Sequence, residues 1–157
     1  YRQPCTVPGR KRQPLNVVLS SRLEGISPDW PFFRSHEIER ILLVGPEAPA
    51  AKLRQFTDSS RIIRLDPGKS SARQAIAQLK KIGVRRLLVE GGGAVMWEFA
   101  KERLLDEIHV TLTPKLIGGT ESPTLVDGRG FAPDRIPEYR LHRVRRVGDE
   151  LYLTYLR

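Results

Sequence analysis

The residues best suited to chemistry lie in one stretch of the chain, residues 87–99, which reads LLVEGGGAVMWEF. An apolar run there ends in an acid, three glycines follow, and a helix-forming segment begins. Glycines at a strand-to-helix turn let backbone N–H groups approach a ligand closely, and the first turn of a helix attracts anions. The pattern predicts a phosphate or diphosphate site at residues 91–93. The alternative is a tight turn that needs glycine only for a positive φ.

Glu90 is the carboxylate that accompanies this turn. The carboxyl end of a strand is where α/β sheets bind their ligands, so we predict that Glu90 contacts a small molecule. The alternatives are a solvated strand end or an acid that caps the next helix. The glycines are not spaced as GxGxxG and lie far from the chain start, which disfavours the ordinary Rossmann fold.

Other reactive side chains lack such a context. The histidines His36, His109 and His142 share no metal-ligand spacing, so we predict no metal site. Cys5 has no histidine near it in sequence, which disfavours a nucleophilic role. Asp127, in the string VDGRGF, is interpreted as closing a turn.

Apolar periodicity and turn residues predict the elements that position these groups. Strands are expected at residues 15–20, 40–44, 61–65, 86–90, 107–113, 139–147 and 150–156. Helices are expected at residues 48–56, 70–82 and 94–104. Strands joined through helices are parallel, whereas the last two strands form a hairpin about Gly148 and Asp149. The sequence therefore predicts one α/β domain whose sheet is mixed and mostly parallel.

Composition narrows the class of protein. The chain has 157 residues, of which 39% are hydrophobic and 29% charged, as expected for a folded domain with a core. No apolar run approaches the roughly 20 residues that span a bilayer, and a single cysteine is consistent with the cytoplasm. The net charge of +9 is spread along the chain without interleaved aromatic residues. A basic surface or an anionic small-molecule ligand is therefore favoured over nucleic acid.

Three strings together resemble a known family. LLVEGGGAVMWEF, LLDEIHVTLTPKLIGG and SPTLVDGRGF are similar to the C-terminal reductase domain of bifunctional riboflavin biosynthesis proteins and to stand-alone archaeal and fungal diaminopyrimidine reductases. LNVVLSSRL resembles an earlier strand of that family, and the resemblance covers residues 15–157. Each string alone is a weak signal, but the combination is specific. The resemblance implies a dihydrofolate-reductase-like α/β fold with an antiparallel C-terminal hairpin.

The resemblance also implies an activity. It is that of an NADPH-dependent oxidoreductase of the 5-amino-6-(5-phosphoribosylamino)uracil reductase type, which acts without metal or flavin. Hydride passes to C1′ of the opened ribosylamino group of a phosphorylated pyrimidine and gives the ribitylamino product of riboflavin biosynthesis. The resemblance further implies a cytoplasmic homodimer that uses the strand within EIHVTLTPKLIGG, with neither nucleic acid nor membrane as a partner.

Site residues follow from the same resemblance. Glu90 is implied to contact the substrate, and Ser20 and Ser21 to lie near the cofactor ribose or 2′-phosphate. The cofactor diphosphate is implied to be lined by the backbone of Gly91, Gly92, Gly93, Ala94, Val95 and Met96, with Trp97 and Glu98 as further candidates. Because Ser20 stands where the family usually has Asp, and Arg22 adds positive charge, we expect NADPH to bind more tightly than NADH.

One departure from the family leaves alternatives open. The opening third of the family's domain, with its nicotinamide-contacting segment, is expected to be missing, because residues 1–7 resemble the end of that segment. No catalytic residue is therefore assigned. A dihydrofolate-reductase-like enzyme for another heterocycle and a catalytically silent cofactor-binding module remain possible readings of the sequence.

Overall fold

The computed structural model describes residues 13–120 and 122–157. The chain divides into two compact units, Tyr1–Ile82 and Gly83–Arg157, and each is described by itself. Cys5 lies outside the described residues. Within the described ranges, no helix is long and apolar enough to cross a membrane.

The first unit is built on a three-stranded parallel sheet in the order β1-β2-β3. Its strands are β1 (Asn16–Ser20), β2 (Arg40–Val44) and β3 (Arg61–Arg64), and its helices are α1 (Pro31–Arg34), α2 (Ala50–Arg54) and α3 (Ser71–Lys81). Every residue of β2 is buried because this strand is central and is flanked on both edges. The run RILLV, apolar after its first residue, suits such a strand.

The core of this unit combines sheet residues with aromatic rings from the connections. Leu42 and Val44 of β2 pack in one cluster with Leu23, Phe33 and Phe56. The Phe33 and Phe56 rings meet edge to face, 4.9 Å between centroids, which is a favoured aromatic geometry. This cluster joins the loops after β1 and α2 to the sheet.

A buried arginine ties α1 to the amino end of the sheet. Arg40 is 5% exposed, and its guanidinium donates hydrogen bonds to the backbone carbonyls of Phe32, Ser35 and Ser59. Burial lowers the pKa of Arg40 below its ordinary value. The three carbonyls compensate for the lost hydration, as a buried charge requires.

The second unit carries α4 (Gly93–Lys101) and an antiparallel sheet in the order β4-β6-β5. Its strands are β4 (Glu107–Leu112), β5 (Arg140–Val147) and β6 (Glu150–Leu156), and a 3₁₀ turn lies at Pro133–Arg135. Strand pairing places Arg146 and a set of mainly apolar side chains on one face of the sheet, the latter being Ile108, Val110, Leu112, Leu151, Leu153, Tyr155, Leu141 and Val144. The opposite face is mostly polar.

Most predicted elements are confirmed. Helix α3 begins after Ser70, whose side chain accepts a hydrogen bond from the Arg73 amide, and Gly83 with φ +86° follows it. The terminal hairpin turns at Gly148 with φ +59°, as the alternating pattern predicts. The α/β class is confirmed, and the strands form one parallel and one antiparallel sheet of three strands each.

The buried strand predicted at residues 86–90 is wrong. This segment has no strand structure, and Leu88 is 72% exposed. No backbone hydrogen bond joins it to any other described residue. A strand exists only through its pairing partners, and no described strand pairs with this apolar run.

Candidate functional site

The turn that precedes α4 has a different backbone conformation at each glycine. Gly91 has φ +156°, a region that favours glycine. Gly92 is the N-cap of α4 with φ −67° and ψ 162°, which any residue adopts. The Gly92 carbonyl accepts hydrogen bonds from the amides of Val95 and Met96 and so starts the helix. The need for a positive φ therefore accounts for Gly91 but not for Gly92.

Among the first backbone amides of α4, those of Gly92 and Ala94 belong to exposed residues and are accessible to a ligand, whereas Gly93 is buried. The N–H groups of Gly92, Gly93 and Ala94 donate to no acceptor among the described residues. Gly92 and Ala94 are exposed, and a Cβ added at Gly92 would have no heavy atom within 4 Å. Amides at a helix start with open space before them form an arrangement that binds phosphate groups.

Gly93 is held by a different constraint, the side chain of Asp127. A Cβ at Gly93 would overlap the Asp127 carboxylate and lie 2.5 Å from the Asp127 amide nitrogen. Asp127 Oδ1 in turn accepts hydrogen bonds from the Thr124 amide, at 3.1 Å, and from Thr124 Oγ1, at 2.6 Å. The carboxylate thus closes its own turn and also lies against the start of α4, where negative charge is favourable.

Glu90 lies immediately before this turn. Its side chain is exposed, and no hydrogen bond or ion pair joins it to another described residue. A carboxylate in this state can accept hydrogen bonds from the hydroxyl or N–H groups of a ligand. The structure therefore leaves Glu90 able to fill the role predicted for it.

An apolar hollow of about 250 Å³ lies beside the same helix, within the second unit. Met96 and Ala100 of α4 line it, together with Ile108 of β4 and Phe131. Because the Met96 side chain faces this hollow, contact between Met96 and a diphosphate would use its backbone. Trp97 packs against Phe131, 4.8 Å between ring centroids, and leaves no room for a Cβ at Gly128.

Ser20 and Ser21 lie at the carboxyl edge of the parallel sheet in the first unit. Ser20 Oγ accepts a hydrogen bond from the Leu23 amide at 3.0 Å, which leaves its hydroxyl hydrogen free to donate. Leu23 is fully buried with φ +60°, a strained conformation held by this bond and by the core. Ser21 is exposed and Ser20 is half-buried, and each hydroxyl has a hydrogen that it can donate to a ligand.

The positive charge of Arg22, which was expected to favour NADPH, pairs with two carboxylates of the protein instead. Nε and Nη2 of Arg22 each lie 2.7 Å from Glu47 Oε2, and Nη1 lies 3.8 Å from a Glu24 oxygen. The hydrogen bond that Arg22 donates to Glu47 raises the pKa of Arg22, and the charges of Glu47 and Glu24 add to this effect. These two carboxylates compensate the positive charge that the sequence suggested for an anionic ligand.

The structure also shows contacts that sequence reasoning missed. The pairs Arg22–Glu47 and Gly93–Asp127 are separated by 25 and 34 residues. In the sequence, the signal that indicates close packing around Asp127 is the pair of glycines in VDGRGF. His109 lies on the exposed sheet surface beside Glu107, at 3.2 Å, and Thr154, as expected for a surface histidine.

Comparison with known proteins gives the family of the chain. A sequence model described as the RibD C-terminal domain matches residues 2–153. The chain is 30% identical over 146 residues to the 2,5-diamino-6-ribosylamino-4(3H)-pyrimidinone 5′-phosphate reductase of Archaeoglobus fulgidus, covering 93% of this chain and 64% of the relative. It is 26% identical to the riboflavin biosynthesis protein RibD of Bacillus amyloliquefaciens, covering 96% of this chain and 41% of the relative.

Solved structures show the same fold. A diaminohydroxyphosphoribosylaminopyrimidine deaminase/5-amino-6-(5-phosphoribosylamino)uracil reductase from Thermotoga maritima superposes with a TM-score of 0.75 at 18% identity, over 99% of this chain and 41% of that protein. RibD of Acinetobacter baumannii superposes with a TM-score of 0.70 at 17% identity, over 92% and 38% of the two chains. The chain spans less than two thirds of the length of each of these proteins. Since the family model matches nearly the whole chain, the protein belongs to the RibD C-terminal domain family.

Proposed function

We propose that this protein is an NADPH-dependent reductase that converts a phosphorylated ribosylaminopyrimidine into its ribitylamino product, in riboflavin biosynthesis. The observation that carries the proposal is the open turn before α4, with three amides that lack acceptors among the described residues. The relatives support the substrate class, because they are named as pyrimidine 5′-phosphate reductases. The protein would act as one reductase domain and as a homodimer.

Each proposed site residue has a distinct task. The amides of Gly92, Gly93 and Ala94 donate to the cofactor diphosphate, and the backbone of Gly91, Val95 and Met96 completes its surroundings. Glu90 accepts hydrogen bonds from polar groups of the substrate and so fixes its orientation. The hydroxyls of Ser20 and Ser21 donate to the cofactor ribose or 2′-phosphate. NADPH, when bound, supplies the hydride that reduces C1′ of the opened ribosylamino group.

A turnover assay separates this proposal from its alternatives. The protein is incubated with NADPH and either 5-amino-6-(5-phosphoribosylamino)uracil or 2,5-diamino-6-ribosylamino-4(3H)-pyrimidinone 5′-phosphate, with dihydrofolate as the control. We expect oxidation of NADPH with at least one pyrimidine phosphate and none with dihydrofolate. Oxidation with dihydrofolate alone would favour the other heterocycle, and NADPH binding without any turnover would favour a silent module.

Cofactor preference is part of the same proposal. We expect tighter binding of NADPH than of NADH, because serine hydroxyls replace the acid that would repel a 2′-phosphate. Fluorescence titration with the two cofactors measures this preference. Equal affinities for the two cofactors would contradict the role of the serines in cofactor preference. The turnover assay tests the reductase activity separately.

A further inference from the structure

Arg64 lies at the carboxyl edge of the parallel sheet and has no carboxylate partner among the described residues of the first unit. It is the last residue of β3 and is exposed. Its Nη1 donates to the Pro46 carbonyl at 3.2 Å and its Nη2 to the Ala48 carbonyl at 3.1 Å. No ion pair joins it to an acid among the described residues of this unit. Two neutral acceptors therefore hold the guanidinium in place and leave its charge uncompensated.

This arrangement differs from that of Arg22 at the same edge. Arg22 points two nitrogens at one carboxylate oxygen of Glu47, so its charge is largely cancelled. Arg64 instead keeps its net charge, with Nε–H and one hydrogen on each terminal nitrogen available. A guanidinium presents these donors as a planar fork that matches two phosphate oxygens.

Backbone contacts connect Arg64 to the serine loop. Arg64 binds Pro46, which follows Gly45, and the Gly45 amide donates to the Ser20 carbonyl at 3.1 Å. A Cβ at Gly45 would lie only 2.8 Å from the Ser21 carbonyl oxygen. The β1 loop and the β2 turn therefore pack without a gap, and Arg64 borders the turn on its other side. Together they form one surface with hydroxyl donors and a fixed cation.

We propose that Arg64 is the residue that selects NADPH by pairing with the 2′-phosphate of its adenosine ribose. The inference rests on the proposed function, since it concerns the cofactor of that reaction. A phosphate there meets a charged donor at Arg64 and neutral donors at Ser20 and Ser21. NADH has a neutral hydroxyl in place of this phosphate, so it gains little from the charge of Arg64.

The test uses four probes and three variants of the protein. NADPH, NADH, adenosine 2′,5′-bisphosphate and 5′-AMP are titrated by calorimetry against the parent, Arg64→Gln, Arg64→Lys and Arg61→Gln. Arg61 is a matched control because it is exposed and lies at the amino end of the same strand. The two adenosine probes report on the 2′-phosphate without any nicotinamide.

We expect Arg64→Gln to weaken NADPH and the bisphosphate about tenfold or more, since one charge-assisted hydrogen bond is worth that factor. NADH and 5′-AMP should change less than about twofold, Arg64→Lys should keep part of the preference, and Arg61→Gln should match the parent. An unchanged preference in Arg64→Gln, or an equal loss for all four probes, would overturn the assignment of Arg64. A parent protein that binds neither dinucleotide would instead overturn the proposed function.

Discussion

The Asp127 carboxylate lies against the Cα of Gly93 so closely that a methyl group on Gly93 would overlap it. Gly92, one residue earlier, has open space at the same position. The two glycines of one turn are therefore required for different reasons. Gly93 lets a distant loop pack on the helix start, whereas Gly92 leaves the helix start accessible to a ligand.

Gly93→Ala should destabilise the protein. Where the loop cannot move freely, overlap with Asp127 costs about 1–3 kcal/mol. This cost opposes the gain of about 1 kcal/mol in helix propensity when alanine replaces glycine. The Asp127 amide lies in the overlap as well as its side chain, so we expect a net loss. Urea unfolding measures it, with Gly92→Ser as the control that adds a side chain in open space. Equal stability of Gly93→Ala and the parent would show that the loop moves freely.

Gly92→Val should weaken NADPH binding strongly while the fold stays largely intact. The backbone of Gly92 has φ −67°, so valine meets no steric penalty there, but its side chain would obstruct the amides that face a diphosphate. Loss of one charge-assisted hydrogen bond corresponds to about tenfold in affinity. Fluorescence titration measures the affinity, and thermal unfolding serves as the control for the fold. Parent-like NADPH binding would mean that the turn is only structural.

Glu90→Gln should lower turnover and leave NADPH affinity near its parent value. The substitution keeps the shape of the side chain but removes the charge from a hydrogen bond worth about 1.5–3 kcal/mol. The expected loss in kcat/KM is therefore roughly tenfold to a hundredfold. Glu138→Gln is the matched control, since Glu138 is also exposed in the second unit. If Glu90→Gln turns over normally, the substrate role of Glu90 has to be abandoned.

Tyr139 gives a stability prediction that depends on pH. Its hydroxyl donates to the Leu105 carbonyl at 3.2 Å, and burial raises its pKa above the ordinary value of 10.0. The folded state thus holds the phenolic proton more tightly than the unfolded state, so this contribution is complete below pH 10 and declines as the pH rises through the folded pKa. Near neutral pH, the free energy of unfolding of the parent should exceed that of Tyr139→Phe by about 1 kcal/mol. Denaturant unfolding of both proteins across pH 7–11 should show this difference shrinking above about pH 10; a constant difference would contradict it.

The sequence predicts those elements whose signals are local. Strand β2 follows from an apolar run, helix α3 from its serine cap and glycine stop, and the hairpin from alternation around Gly148. Each signal involves residues that lie within a few positions of one another. It therefore predicts the same element whatever the rest of the fold. The glycine-rich turn before α4 belongs to the same class.

The remaining features depend on partners that are distant in sequence. Residues 86–90 have the composition of a buried strand but are unpaired and exposed, because pairing is a property of the sheet and not of the segment. Arg22 appears from its sequence neighbourhood to offer free charge, yet the structure pairs it with Glu47. Side-chain pairing of this kind depends on which turns share a sheet edge, which no local pattern specifies.

The apolar face of the antiparallel sheet predicts a homodimer. Leu112 of β4 and Leu141 and Val144 of β5 lie on this face and are 57%, 55% and 52% exposed. Contiguous exposed apolar side chains of this kind favour association, because their burial removes them from water. Light scattering at micromolar concentration should give twice the 17.8 kDa mass of the chain. Val144→Glu should shift the protein toward monomer by placing a charge in the interface, whereas Arg145→Glu, one residue along on the opposite face, should not. A monomer mass for the parent would show that this face has no self-complementary partner.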